Sequence, residues 1–164
     1  MIAHAEVLRV LRSLDMPHEV VPCDPALADT AAFCAAYGFD PADSANCIVV
    51  ASRRPPGRHL AALVLATTRL DVNGRCCTLM DVRRASFASA EQTATLTGME
   101  IGGVTPFGLP NALLPVYVDS AVVARDRVVV GGGDRSVKLV VPGAALADPP
   151  LFSVVQDLAI QPRG

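Results

Sequence analysis

Two apolar runs constrain this chain more than anything else in it. They are CIVVAS, Cys47 to Ser52, and HLAALVLA, His59 to Ala66. Neither alternates apolar with polar residues. A strand that is apolar on both faces of its pleat has to be covered on both faces. The two runs are therefore expected as central strands of a sheet. Between them lies RRPPGR, Arg53 to Arg58, rich in proline, glycine and charge, which predicts a hairpin with a long connection.

The rest of the chain supplies the covering layers. Val7, Leu8, Leu11 and Leu14 recur at helical spacing between Ala3 and Leu14, and Pro17 ends that helix. HEVVPC, His18 to Cys23, is short and β-rich, with Pro22 favouring an edge. Thr30 can cap a helix that Gly38 closes, and Asn73 can cap another. Ser89 with Gln92 forms a capping box for a fourth helix, which Gly98 closes. Short strands follow at 115–119, 121–124, 127–131 and 137–141, separated by turn residues. Helices early and strands late define an α+β class: a single domain over residues 1–164, with a curled, mostly antiparallel mixed β-sheet flanked by helices.

Composition narrows the function classes. The chain has 164 residues and is 51% hydrophobic, enough for a substantial core. With 14 Lys+Arg against 16 Asp+Glu it does not coat nucleic acid by long-range attraction, which disfavours DNA as a partner. It can still grip a short single-stranded end. Lys138 is its one lysine. Five cysteines, with no CxxC pair, and scattered histidines lack zinc-ligand spacing, so no metal and no cofactor are expected. They read as reduced core residues of a cytoplasmic protein. The charge-free run Ile101 to Val118 is broken by glycines and prolines, which argues against a membrane span.

GMEIGGVTPFGLP, Gly98 to Pro110, joins the fourth helix to the later strands. Glycine permits positive φ and close approach of the main chain, and proline fixes the loop's shape. Such a loop can aim backbone amides at a carbonyl oxygen and stabilise an oxyanion. The alternative, which spacing alone favours, is a plain turn between helix and sheet.

The order of these features resembles the YbaK / prolyl-tRNA synthetase-associated editing domain family. HEVVPCD, GFDPADSANCIVV, LDVNG, ASFASAEQTATLTGMEIGGVTPFGLP, VYVD and GGGDRSVKLVVPGAAL carry the resemblance, which runs from Leu8 to Leu146. It implies an aminoacyl-tRNA deacylase that removes a wrong, small amino acid from a mischarged tRNA. The carrier to test first is proline tRNA, with an aminoacyl-tRNA synthetase as a further partner. The family's GxxxP amides hold the ester carbonyl, a role that falls on Gly102, Gly103 and the loop up to Pro106. Most members carry a lysine before the first core strand. Asn46 stands there, followed by Cys47 in place of a small polar residue. Asparagine gives a donor and an acceptor but no cationic grip. This departure favours an alternative: a module that binds aminoacyl-tRNA, or an amino-acid-like ligand, without cleaving it. Restoring lysine at position 46 discriminates between the two: a large rise in activity would mean that the asparagine form is attenuated.

Further residues are placed around the expected pocket. Cys47 at the head of its strand reads as a pocket wall rather than a nucleophile. Thr105 either offers its hydroxyl to the substrate or stabilises the loop. Ser136 matches a pocket-lining polar position of the family, or serves a turn. Asp119 reads as a partner for backbone amides. Arg53, Arg54 and Arg58 could touch phosphates of a tRNA end, though no aromatic platform is evident beside them. Gly102→Ala should impair cleavage and spare the fold, provided Gly102 has negative φ.

Overall fold

A computed structural model describes residues 2–109, 114–150 and 152–162. Pro110, the last residue of the glycine-rich loop, lies outside them. The expected central strands are present: β2, Ala45–Arg54, and β3, Pro56–Leu65, pair antiparallel. They lie inside a five-stranded ladder, flanked by β5 (Arg84–Phe87) on one side and β6 (Val116–Asp119), then β9 (Phe152–Val155), on the other. The β3–β6 and β6–β9 pairings are parallel.

Both faces of this ladder are covered, as the unbroken apolar runs require. Val49, Ala61, Leu63 and Leu65 pack with Val7 and Leu11 of α1 (Ile2–Ser13). On the same side are Val128 and Val130 of β7 (Arg127–Gly131) and Leu139 and Val141 of β8 (Val137–Pro142). Val50, Leu60, Ala62 and Val64 point the other way. They meet Cys76, Cys77 and Met80 of a π-helical turn, Val72–Cys76, and of α3, Cys77–Met80. β8 is the middle strand of a second, antiparallel ladder, between β1 (Glu19–Pro22) and β7. β4 (Arg69–Leu70) pairs with β10 (Ala159–Ile160). The expected curled sheet is thus hydrogen-bonded as separate, mostly antiparallel ladders, two of which are bridged between Ser44 and Val129.

Helix ends follow the sequence signals unevenly. Gly38 and Gly98 adopt the left-handed conformation after α2 (Thr30–Tyr37) and α4 (Ala90–Thr97). Ser89 accepts from the Gln92 amide. Asp71, not Asn73, caps the segment before α3, accepting from the amides of Gly74 and Arg75. Asn73 instead accepts from the Ala85 amide.

Two expectations fail. The RRPPGR connection is tight: β2 runs through Arg54 and β3 starts at Pro56, because exposed charged residues still find backbone partners in β3 and β5. Ser120–Val123 is the one-turn helix α5, not a strand. A four-residue apolar run fits either geometry, and here it buries Val122 in the core. Asp119 accepts from the Leu158 amide, the backbone role expected of it.

Candidate functional site

The site arises where a ladder stops. β5 pairs with β2 only from Val50 to Arg54, and the last contact is the Ala88 amide on the Val49 carbonyl. Among the described residues, 46–48 of β2 therefore have no strand partner on that side. In an antiparallel ladder alternate residues turn their peptide groups to opposite sides. Ser44 bonds toward β3, through the Ala66 amide, and Val49 toward Ala88. The peptide groups of Cys47 consequently face that side. A cavity of about 430 Å³ occupies this gap.

Its walls come from several elements. Asn46 and Cys47 belong to β2, Val129 to Gly131 to β7, and Lys138 to β8. Asp29, Thr30 and Phe33 come from the start of α2, and Ile101, Gly102 and Val104 from the glycine-rich loop. Phe87, 56% exposed, and Ile101, 51% exposed, also line it, placing large apolar side chains at its solvent boundary.

Lys138 is the residue that sequence reasoning missed. It is only 7% exposed, and its ammonium donates to the Gly102 carbonyl at 2.8 Å. It lies 5.7 Å from the centre of the Phe33 ring. An ammonium has three donors, so donors remain beyond the one used by Gly102. Burial pushes its pKa below the ordinary lysine value, and the nearby Arg135 guanidinium acts in the same direction. The chain's one lysine thus faces the same cavity as Asn46, from another strand. A signal was available: a lone lysine inside SVKLVV is a charge in an otherwise apolar strand.

Asn46 is held by Thr30, whose hydroxyl donates to the asparagine Oδ1 at 2.7 Å. The carbonyl side of the amide is occupied, and its amino group has no protein partner among the described residues. Asn46 is therefore fixed as a donor beside Lys138's cavity.

The loop differs from expectation in detail. The Gly103 amide is spent on a turn, donating to the Glu100 carbonyl at 2.9 Å, and its carbonyl accepts from Gly133. Gly103 is buried and off the cavity wall, so the expectation that its amide faces a substrate carbonyl is corrected: that amide is used within the loop. Gly102 is on the wall, and its amide has no protein acceptor among the described residues. Its φ is +94°, so the condition for a clean Gly102→Ala test is not met. Arg135 pins the loop by donating to the Ile101 and Pro25 carbonyls, and pairs with Asp29.

The remaining expected residues divide. Cys47 lines the cavity, with its thiol pushed up to about 12 by burial. A thiol raised this far stays protonated at neutral pH, which supports a wall rather than a nucleophile. A thiolate nucleophile would make Cys47→Ala lose any activity of the cavity by orders of magnitude; as a wall residue, Cys47 is expected to be replaceable by alanine within about threefold, in whichever turnover assay the cavity supports. Pro106 and Thr105 are buried away from the cavity wall. The Thr105 hydroxyl is fully buried and has no hydrogen-bond partner among the described residues. A buried unpaired hydroxyl costs about 1–3 kcal/mol. Thr105→Val should therefore raise unfolding free energy by about 1 kcal/mol, measured in urea, with turnover unchanged. Ser136 is exposed and off the wall; its amide and hydroxyl both donate to Asp134. Its turn role is the one seen, and the polar group that β8 sends to the cavity is Lys138.

Among the described residues no cluster of His, Cys, Asp or Glu could hold a metal ion. No helix among them is long and apolar enough to cross a membrane.

This constellation sits on a known fold. Residues 24–148 match the model of the aminoacyl-tRNA editing domain, and the chain belongs to that family. Similar solved structures include the hypothetical protein APE2540, with TM-score 0.81 and 21% identity over 92% of this chain and 97% of that one. Another is a candidate trans-editing enzyme for prolyl tRNA synthetase, with TM-score 0.80 and 21% identity over 99% of both chains. A third, reported for epitope grafting onto scaffold proteins, has TM-score 0.77 and 21% identity over 98% of both chains. No curated protein matches.

Proposed function

We propose that this protein is a trans-editing deacylase, hydrolysing the ester between a small amino acid and the 3′ end of a mischarged tRNA. The observation that carries the reading is the buried Lys138 ammonium on the wall of a cavity that Asn46 and Gly102 also line. Family membership supports an editing role. Ester hydrolysis builds negative charge on the carbonyl oxygen, and preorganised donors in a site shielded from water stabilise it. The Asn46 amino group and the Gly102 amide are the neutral donors, and Lys138 supplies positive charge. Water attacks the carbonyl carbon. The ester C–O bond breaks, and the terminal ribose oxygen leaves with a proton.

Asp29 is the one carboxylate on the described wall, and its pairing with Arg135 disfavours it as a base. A ribose hydroxyl of the substrate, adjacent to the ester, is the better-placed proton carrier. The amino acid's side chain fits against Cys47, Val129 and Phe33, an apolar surface suited to alanine, cysteine or serine. Proline tRNA is the carrier to test first, with a synthetase delivering it, in the cytoplasm. Measuring amino acid released from alanyl-, seryl- and cysteinyl-tRNA for proline tests the reading. Release from at least one supports it; tight binding of all without release points to a binding module instead.

A further inference from the structure

The end of the β2–β3 hairpin and the edge strand β5 gather arginines that the catalytic proposal does not use. Arg53, Arg54, Arg83 and Arg84 are all exposed. Arg54 and Arg84 are direct register partners, and the Arg83 amide donates to the Arg54 carbonyl. Arg53 bonds the Ser86 hydroxyl, a neutral partner. None of these arginines forms an ion pair with a carboxylate among the described residues, and Asp81, the acid nearest in sequence, pairs with none of them. Arg58, by contrast, is committed to the Met80 carbonyl. Like charges directly opposite on a ladder are destabilising, so this patch carries a repulsion that a polyanion would relieve.

The patch and the cavity lie at opposite ends of β5, whose outer edge joins them, with the Arg84 and Phe87 side chains on opposite faces of the strand. β5 starts at Arg84 and ends at Phe87, about 10 Å along the strand at its usual rise. Phe87 is exposed and on the cavity's boundary. An exposed aromatic ring is a stacking surface for a base, and free guanidiniums hold phosphates.

Resting on the deacylase reading, we infer that the outer edge of β5 is the track for the single-stranded end of the tRNA. The terminal base stacks on Phe87, and the preceding phosphates lie against Arg84, Arg54 and their neighbours. The partner is single-stranded RNA rather than duplex, because base stacking on an exposed ring needs an unpaired base. The net charge of −2 makes this local patch, not a long-range field, the source of affinity.

The test is binding, which does not depend on hydrolysis. A fluorescently labelled single-stranded RNA oligonucleotide carrying the tRNA 3′-terminal sequence is titrated with the protein at several salt concentrations. Arg54→Glu/Arg84→Glu should weaken binding at least 10-fold at low salt. It should also flatten the slope of log affinity against log salt by about 1.4, since each single-strand phosphate contact contributes about 0.7. Phe87→Ser should weaken binding about 10-fold with the slope unchanged. Arg54→Gln/Arg84→Gln, with its circular dichroism compared to wild type, separates lost contacts from lost fold. Unchanged affinity and slope in the folded arginine variants would overturn the track, as would tighter wild-type binding to polyglutamate than to the RNA. If the track holds but no amino acid is released in the cleavage assay, the deacylase reading fails and the surface stands.

Discussion

Lys138→Met is expected to lower amino acid release by about 10²–10³-fold while the protein remains folded with an equal or higher melting temperature. The two readouts separate because the lysine does two opposed things. Its charge is desolvated in the fold, which is why its pKa is pushed down. Replacing such a charge with an apolar side chain of similar length is commonly neutral or stabilising. The Gly102 carbonyl loses its donor, but Gly102 is only part-buried, so solvent can replace it. In the transition state the balance reverses, because removing one preorganised donor costs about 3 kcal/mol. A variant that merely unfolds would lose activity and melting temperature together.

The same lysine predicts a pH signature. Its folded pKa lies below the ordinary 10.5. Between those two values the unfolded chain binds more protons than the folded one, so this group makes stability rise with pH across that window. Lys138→Met should remove that rise, as urea unfolding at a series of alkaline pH values would show. The position also changes what to expect of Asn46→Lys. A second ammonium would share the cavity and break the Thr30–Asn46 bond. The single variant should lose activity rather than gain it, and combining it with Lys138→Met should recover part of the loss.

Gly102→Ala should reduce both stability and turnover severely. At φ +94° a non-glycine residue is strained by about 1–3 kcal/mol. A Cβ there would also come within 2.2 Å of the Arg135 guanidinium, which pins the loop to Pro25 and Ile101. The arginine would have to move, and with it the loop that carries the Gly102 amide. Turnover is expected to fall by at least 100-fold, with the melting temperature lowered by several degrees. Full turnover in Gly102→Ala would show that the loop's geometry does not matter to the reaction.

The physical reasons explain what could be read from the sequence. Central strands were legible because CIVVAS and HLAALVLA leave no face for water. Helix ends at Gly38 and Gly98 were legible because each needs a left-handed residue. The site was legible only in part. Gly102, Asn46 and Cys47 stand on the cavity wall, but Gly103 is bonded inward, and Thr105, Pro106 and Ser136 lie elsewhere. A local pattern locates a loop without saying which of its amides are already paired. Lys138 was missed, and Thr30 was read as a helix cap rather than as the partner of Asn46, because their approach to Gly102 and Asn46 depends on how β8 and α2 pack. Phe87 was missed as an aromatic surface because nothing local shows that β5 ends beside the cavity.

The central claim is that this cavity cleaves an aminoacyl ester. Its most direct test is single-turnover release of labelled amino acid from mischarged proline tRNA, with wild type and Lys138→Met run side by side. The account predicts wild-type release well above the spontaneous rate for a small amino acid, falling by at least 100-fold in the folded variant. Release at the spontaneous rate by wild type across small amino acids, or equal release by both proteins, would contradict it.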